Sequence, residues 1–541
     1  MISETTQKNL ILTFIILLLA FFFLMQTLIP GKNIPTSQAM PGEINLYLSN
    51  GDLICVNTKD QYSITLPADL KPDLSNVNTG IYFEREDLKV EIYSQPLSET
   101  LSSDSYLNYS NQFLNNTKDH KKEREYMKVF NDQSFHILQW SREKLSQVTN
   151  DRNYYVCADL ISKSDQMIYT ILIKSSQPLQ NAGDYESILK TFHLGTTNLD
   201  VDQADVEAFT YRPIIATPIQ SIAESSWNQE TAKVYERYFS YNSPLIWGIF
   251  EPSAPADFGV LYELEEALQY EFPFLIQYKH IRHDFSECTL EAAMENAKKE
   301  NRIVELTLQT TASEEGESLM VYDILNGEYD AYFDYVIDIL HKMEMPVLIR
   351  FCNEMNGDWC SYSSYHTSRD PDIFVHLYQY VYQYFEERDA LQYTIWVWNP
   401  NEKSFPDFKW NDANLYYPGD EYVDVIGLTG YNTGNYYKGE SWRSFNEIYE
   451  DIYKKAVNEH NKPLMITEFA SSSIGGNKEE WIRDMFLQIK KYDRIKVAIW
   501  WNGRDLDSAG NVARPYWLDE TDETKQVFKE QLSHDKSMKK E

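Results

Sequence analysis

The chain has 541 residues, a length that suggests about three to four domains, or fewer if one of them is an α/β barrel. Apolar residues make up 43% and charged residues 24%, which excludes a disordered chain and allows sizeable cores. There are 82 Asp and Glu against 49 Lys and Arg, a formal charge of −33, which argues against nucleic acid or an anionic lipid surface as partner of the soluble part. Aromatic residues reach 14%, as expected of a chain that meets flat polar ligands such as sugars, although cores use aromatics too. Five cysteines exclude a disulfide scaffold.

Leu10 to Ile29 carry no charge, and Pro30 and Gly31 follow. A run of about 20 apolar residues matches a bilayer core as a helix. Residues 1–30 are therefore expected to be a transmembrane anchor that leaves the body of the chain outside the cell, on the cell membrane. Secretion after signal cleavage is the alternative. Residues 31–44, rich in Pro, Gly and Ser, read as a tether.

Residues 45–195 alternate β-type runs (Tyr62–Leu66, Val90–Tyr93, Ser134–Trp140, Tyr154–Ile161, Met167–Ser175) with helical stretches at Ser103–Leu114 and Tyr185–Phe192. This order resembles the PsbP/Mog1-type α/β sandwich. The region shows no catalytic constellation and is expected to be a spacer or a module that binds protein or polysaccharide. Cys55 and Cys157 are a candidate pair. Residues 196–244 read as a polar linker with helical character over Ala223–Phe239.

From Leu245 the texture changes. Strand-length apolar runs at Leu245–Phe250, Phe274–His280, Ile303–Gln309, Val347–Phe351, Tyr393–Trp398, Val423–Leu428, Leu464–Thr467 and Lys496–Trp501 alternate with amphipathic helices. Only the fifth-to-sixth connection shows no clear helix. Eight strands in this alternation predict a (β/α)8 TIM barrel over 245–530, with residues 531–541 as a disordered tail. A doubly wound open sheet is the alternative, but no Gly-rich phosphate loop follows the first strand.

Barrel chemistry takes place where the strands end. Strand four runs through Arg350, Cys352 and Asn353 into Glu354, and strand seven through Thr467 into Glu468. A carboxylate at the end of a buried strand is costly unless it is bonded, paired or wet. Two of them across one barrel mouth form the pair that glycoside hydrolysis needs, one protonated and one ionised. The stretches R-F-C-N-E-M-N-G-D-W (350–359), W-V-W-N-P-N (396–401), Y-Y-P-G-D-E-Y-V-D-V-I-G-L-T-G-Y-N (416–432), K-P-L-M-I-T-E-F-A (462–470) and A-I-W-W-N (498–502) resemble glycoside hydrolase family 26, in the clan of retaining barrel glycosidases.

The resemblance implies catalytic roles for Glu354 (general acid/base) and Glu468 (nucleophile). It places Tyr431 on the nucleophile, Trp500 or its neighbour Trp501 on the sugar, and Trp359 in a sugar platform beyond the acid. Asn353 stands where the family typically has His, and would bind a sugar hydroxyl as in the wider clan. Arg350, one layer below and read by strand alternation onto the same face as Cys352 and Glu354, is a candidate to hold a carboxylate ionised. His280, Trp398 and Asn399 end strands two and five and are further candidates for substrate contact. Asn356 and Gly357 read as a turn that aims Trp359. Tyr362, Tyr365 and His366 lie in the same loop, and Cys352 and Cys360 flank the acid as a second candidate pair. Neither a metal nor a cofactor is expected, since His and Cys do not cluster at ligand spacing.

The chain is thus expected to be a membrane-anchored retaining hydrolase of β-linked polysaccharide, of mannan or glucan type. The alternative is an inactive barrel that binds surface polysaccharide or serves as a scaffold.

Overall fold

The computed structural model describes residues 44–97, 102–162, 164, 166–179, 182–195, 226–286, 289–310 and 318–538. The expected anchor and tether lie outside the described residues. Among those described, no helix is long and apolar enough to cross a membrane.

The first domain has two antiparallel sheets. Strands Ile44–Ser49, Asp52–Asn57, Tyr62–Pro67 and His193–Leu194 form the smaller. The larger has seven, in the order Lys71–Asp73, Ile81–Arg85, Leu88–Pro96, Met167–Ser175, Tyr154–Ser162, Gln133–Arg142 and His120–Phe130. One face of the large sheet presents Phe83, Ile92, Phe135, Ile137, Val156 and Ile171 to a core shared with the small sheet and the helix Ala182–Leu189. Its other face is also covered, by the second domain, so Met167–Ser175 is buried almost throughout and reads as an unbroken apolar run.

The second domain is a closed parallel barrel whose eight strands follow chain order. They are Ile246–Phe250, Phe274–His280, Ile303–Gln309, Val347–Phe351, Thr394–Trp398, Val425–Thr429, Leu464–Phe469 and Ile495–Trp501. Every expected strand is present to within two residues at each end, and the open-sheet alternative is excluded by closure. Between strands five and six the chain makes three short 3-10 turns in place of a helix, as the sequence pattern anticipates. Ile276, Leu348, Ile395, Val397, Val425, Met465, Val497 and Ile499 fill the barrel interior. Gly248 belongs there because a Cβ on it would stand 2.8 Å from Phe274. The helix Gln229–Phe239 plugs the base through Tyr235 and Phe239, so this part of the expected linker is integral to the barrel. The C-terminal helix runs over Asp522–Met538 and packs Phe528 on Trp500, so residues 531–538 of the expected disordered tail are helical, and the rest of it lies outside the described residues.

The domains meet through a buried ionic cluster and an aromatic one. Lys174, inaccessible to solvent, lies 2.7 Å from Glu91 in its own domain and 2.7 and 2.6 Å from Asp370 and Asp372 of the barrel. Lys89 adds contacts to Asp372 and Glu91. Arg369 reaches Asp159 and the Tyr106 hydroxyl. Beside them Tyr82, Tyr93 and Tyr106 pack on Phe408 and Trp410. Asp370 caps the helix Pro371–Glu386, so the domain interface fixes the far end of the loop that starts at Glu354.

Candidate active site

Strand parity decides which side chains reach the mouth. In strand four Leu348 and Arg350 point inward, while Ile349 and Phe351 join the outer layer. Alternation then stops. Cys352 and Glu354 both adopt left-handed backbone, φ 49° and 57°, and Cys352 turns into the outer core. The face expected to carry Arg350, Cys352 and Glu354 together therefore does not exist; two left-handed residues aim Glu354 instead. Its amide donates to the Asn399 carbonyl at 2.7 Å, and Gly357 N closes a turn on the Glu354 carbonyl at 2.9 Å. Trp359 folds back over Gly357, where a Cβ would sit 2.5 Å from the indole, and its Nε1 donates to Glu354 Oε2 at 3.1 Å.

Strand seven breaks parity at the other glutamate. Met465 and Thr467 face inward, so Glu468 should face out, but the pairing with strands six and eight shifts register there. Such a bulge re-aims a side chain. Glu468 consequently turns into the mouth. Its Oε1 accepts from the Tyr278 hydroxyl at 2.5 Å and from Arg350, and its Oε2 accepts from the Tyr431 hydroxyl at 2.7 Å.

Arg350 is the hub. Besides Glu468 it contacts Glu305 at 2.9 Å, Thr307 Oγ1 at 2.8 Å and Asn399 Oδ1 at 3.2 Å. Glu305 is wholly buried on strand three, with Arg350 as its ionic partner. Burial pushes its carboxyl up to about 7; Arg350 opposes the shift and Glu468 adds to it. Burial and the Glu468 charge likewise push Glu354 up to about 7 against the indole bond. Arg350 stays charged: burial disfavours its cation, but Glu468 and Glu305 more than compensate.

The remaining expected residues divide clearly. Asn353 is in the mouth, where its Oδ1 accepts from Gln309 Nε2 at 2.6 Å. Asn399 lies one layer below, bonded to Arg350, Thr429 and Thr467. Trp501 is at the site: half-buried, stacked on Phe250 at 5.2 Å, with Nε1 donating to the Tyr278 hydroxyl at 3.2 Å. Trp500 is not. Val497, Ile499 and Trp501 face inward, so Trp500 must face out, and it is buried between Phe469, Trp481 and Phe528. Trp398 is corrected for the same reason; its indole donates to the Tyr416 carbonyl in the outer layer. His280 is exposed on the rim. Cys55, Cys157, Cys352 and Cys360 are all buried free thiols, so neither candidate disulfide forms. Among the described residues no cluster of His, Cys, Asp or Glu could hold a metal ion.

Tyr278, Glu305 and Gln309 escaped the sequence reading. The signal for the last two was present: in I-V-E-L-T-L-Q the polar residues Glu305, Thr307 and Gln309 recur at period two along one face. Tyr278 carries no such mark.

The family model of glycosyl hydrolase family 26 matches residues 302–493. Endoglucanase H of Acetivibrio thermocellus is 32% identical over 186 residues, 33% of this chain and 20% of that protein. A mannan endo-1,4-beta-mannosidase of Bacillus subtilis is 27% identical over 183 residues, 32% of this chain and 44% of that protein. The chain thus spans from a fifth to under half of the length of these curated relatives. Among solved structures, the catalytic domain of the Bacillus sp. JAMB-750 endo-beta-1,4-mannanase aligns with TM-score 0.45 and 18% identity, covering 59% of this chain and 94% of that one. Residues 302–493, the stretch that matches the family model, hold strands three to seven and both mouth glutamates.

Proposed function

We propose that this chain is a retaining glycoside hydrolase that cleaves a β-linked polysaccharide by double displacement. One observation carries the reading: two carboxyls share the barrel mouth, one pushed up by burial and its neighbour's charge, the other held by three hydrogen-bond donors. Glu354 sits in a half-buried position facing the Glu468 charge, with a single donor on it, and keeps its proton up to about pH 7. Glu468 accepts from Tyr278, Tyr431 and a guanidinium, three donors that favour the anion.

In the first step Glu354 gives its proton to the leaving glycosidic oxygen while a Glu468 oxygen attacks the anomeric carbon. The bond to the leaving sugar breaks and a glycosyl ester forms. In the second step Glu354, now ionised, takes a proton from water, which attacks the anomeric carbon and releases Glu468. Trp501, beside Tyr278 and Tyr431, offers its ring to the sugar at the cleavage point. Asn353, pinned by Gln309, offers its amide to a hydroxyl.

The relatives' names, an endoglucanase and mannan endo-1,4-beta-mannosidases, support a glucan or a β-1,4-mannan as substrate. The apolar run Leu10–Ile29 supports action at the outer side of a membrane. Reducing ends released from a panel of β-glycans test the reading. Glu354→Gln and Glu468→Gln should each abolish release while the fold survives; undiminished turnover in either would overturn the roles. With an activated aryl glycoside and azide, Glu468→Ala should yield the inverted glycosyl azide and Glu354→Ala the retained one.

A further inference from the structure

The first domain places an aromatic ring against the loop that follows the acid/base. Trp359, 52% exposed and bonded to the acid/base, leans on Phe405, 44% exposed, with ring centres 5.4 Å apart. The Phe405 amide donates to the Asn356 carbonyl at 2.8 Å, which ties the two loops together. Next to Trp359, the Asp358 carbonyl is bonded to His366 Nε2 at 2.6 Å, and the His366 ring stands edge-on to Tyr365 at 4.8 Å. Tyr365 in turn meets Tyr109 of the first domain at 6.4 Å. Tyr109 is 49% exposed and sits on the helix Ser103–Ser110. That helix is held against the barrel loops by Tyr106 on Phe408 at 4.8 Å and by Trp410 Nε1 donating to Ser110 at 3.3 Å.

Exposed aromatic rings are costly to leave in water and suit the apolar faces of pyranose rings, which present C–H groups above and below a rim of hydroxyls. The strip begins at Trp359, which is bonded to the acid/base, the residue that faces the departing sugar. Resting on the glycosidase reading above, we propose that Tyr109, Tyr365 and Phe405 continue the cleft on its leaving-group side as a subsite for the downstream residues of a β-linked glycan chain. The first domain is then a component of substrate recognition and not a spacer. It selects long chains over short ones, because only a chain that extends several sugars past the cleavage point reaches Tyr109.

The test compares the full-length chain with Tyr109→Ala and Tyr109→Phe on two probes. One is polymeric glucomannan, which carries both β-1,4-mannosyl and β-1,4-glucosyl units. The other is a mixture of nitrophenyl β-mannobioside and nitrophenyl β-cellobioside, which place only the nitrophenyl group beyond the cleavage point. Tyr109→Ala should lower the ratio of kcat/KM on polymer to kcat/KM on the aryl glycosides about five- to tenfold, mainly through KM. Tyr109→Phe, which keeps the ring, should restore it. Because Tyr109 is exposed, the fold should survive both changes. An unchanged ratio in Tyr109→Ala overturns the extended subsite and leaves the glycosidase reading standing. A wild-type chain inert on both probes overturns that reading, and the subsite with it.

Discussion

Lys174 and Arg350 are both wholly buried among carboxylates, and they do opposite things. Lys174 at the domain junction touches Glu91, Asp370 and Asp372, and Lys89 stands beside them. There burial raises the acids, but the two ammonium groups prevail, so Asp372 is held well below the ordinary carboxylate range and Glu91 is also lowered. Arg350 in the barrel stands alone between Glu305 and Glu468 with Glu354 nearby, and here burial and mutual repulsion prevail: Glu305 and Glu354 are both pushed up to about 7. A buried ion cluster with enough cations joins structure to structure. One with too few keeps a proton in play, which is what acid catalysis requires.

The largest break in this contrast is Arg350→Met. It leaves Glu305 and Glu468 in the barrel without a cation and strips the nucleophile of its one charged donor. A loss of about 10³-fold or more in kcat/KM is expected from steady-state rates, with Arg350→Lys intermediate because it keeps the charge but not the fork. Lys174→Met should act on the other observable. Removing one partner from a buried ionic cluster costs about 3–5 kcal/mol, and with Lys89 still present the lower end applies. Thermal unfolding should shift down accordingly, while turnover at a temperature where the variant is folded should fall less than about tenfold. A Lys174→Met enzyme as inactive as Arg350→Met would erase the distinction.

The two clusters were unequally legible in the sequence. Glu354 and Glu468 stood out because each follows an apolar run directly at a strand end. What sequence reading cannot supply is parity. In A-I-W-W both faces of the strand are apolar, since one faces the barrel interior and the other the helices, so nothing tells Trp500 from Trp501 until the interior residues are known. Glu468 reaches the mouth only through a bulge, and Glu354 only through two left-handed residues; neither feature has a residue signature here, as no glycine marks them. Lys174 sits in M-I-Y-T-I-L-I-K-S, where a terminal lysine reads as the wet end of a strand. Its burial depends on a domain that lies about 200 residues further along the chain, a distance that no local pattern spans.

On the proposed mechanism the mouth cluster also sets the pH response. Glu354 must carry its proton into the first step, so kcat/KM on glucomannan should fall as pH rises through about 7, the value to which burial and Glu468 bring it. Replacing it with glutamine should remove this limb along with most of the rate on unactivated substrates, whereas Lys174→Met should leave the limb where it is. A wild-type profile flat from pH 5 to 9 would contradict the assignment of the acid.

The subtlest difference is thermodynamic and belongs to Glu305. Its carboxyl titrates near 7 in the folded chain and near the ordinary 4.5 when unfolded. Between those values the folded state binds more protons than the unfolded state, so the contribution of this group to stability falls as pH rises from about 4.5 to about 7, by about 3 kcal/mol in total. Glu305→Gln removes that dependence. The melting temperature of the variant minus that of the wild type should therefore climb between pH 5 and pH 8. Asp372→Asn should show the opposite slope, because a carboxylate held below its ordinary range gives stability that is present at neutral pH and lost as pH falls. Two buried acids in one chain would then respond to pH with opposite signs, each set by whether the adjacent cations or burial and like charge prevail at that site.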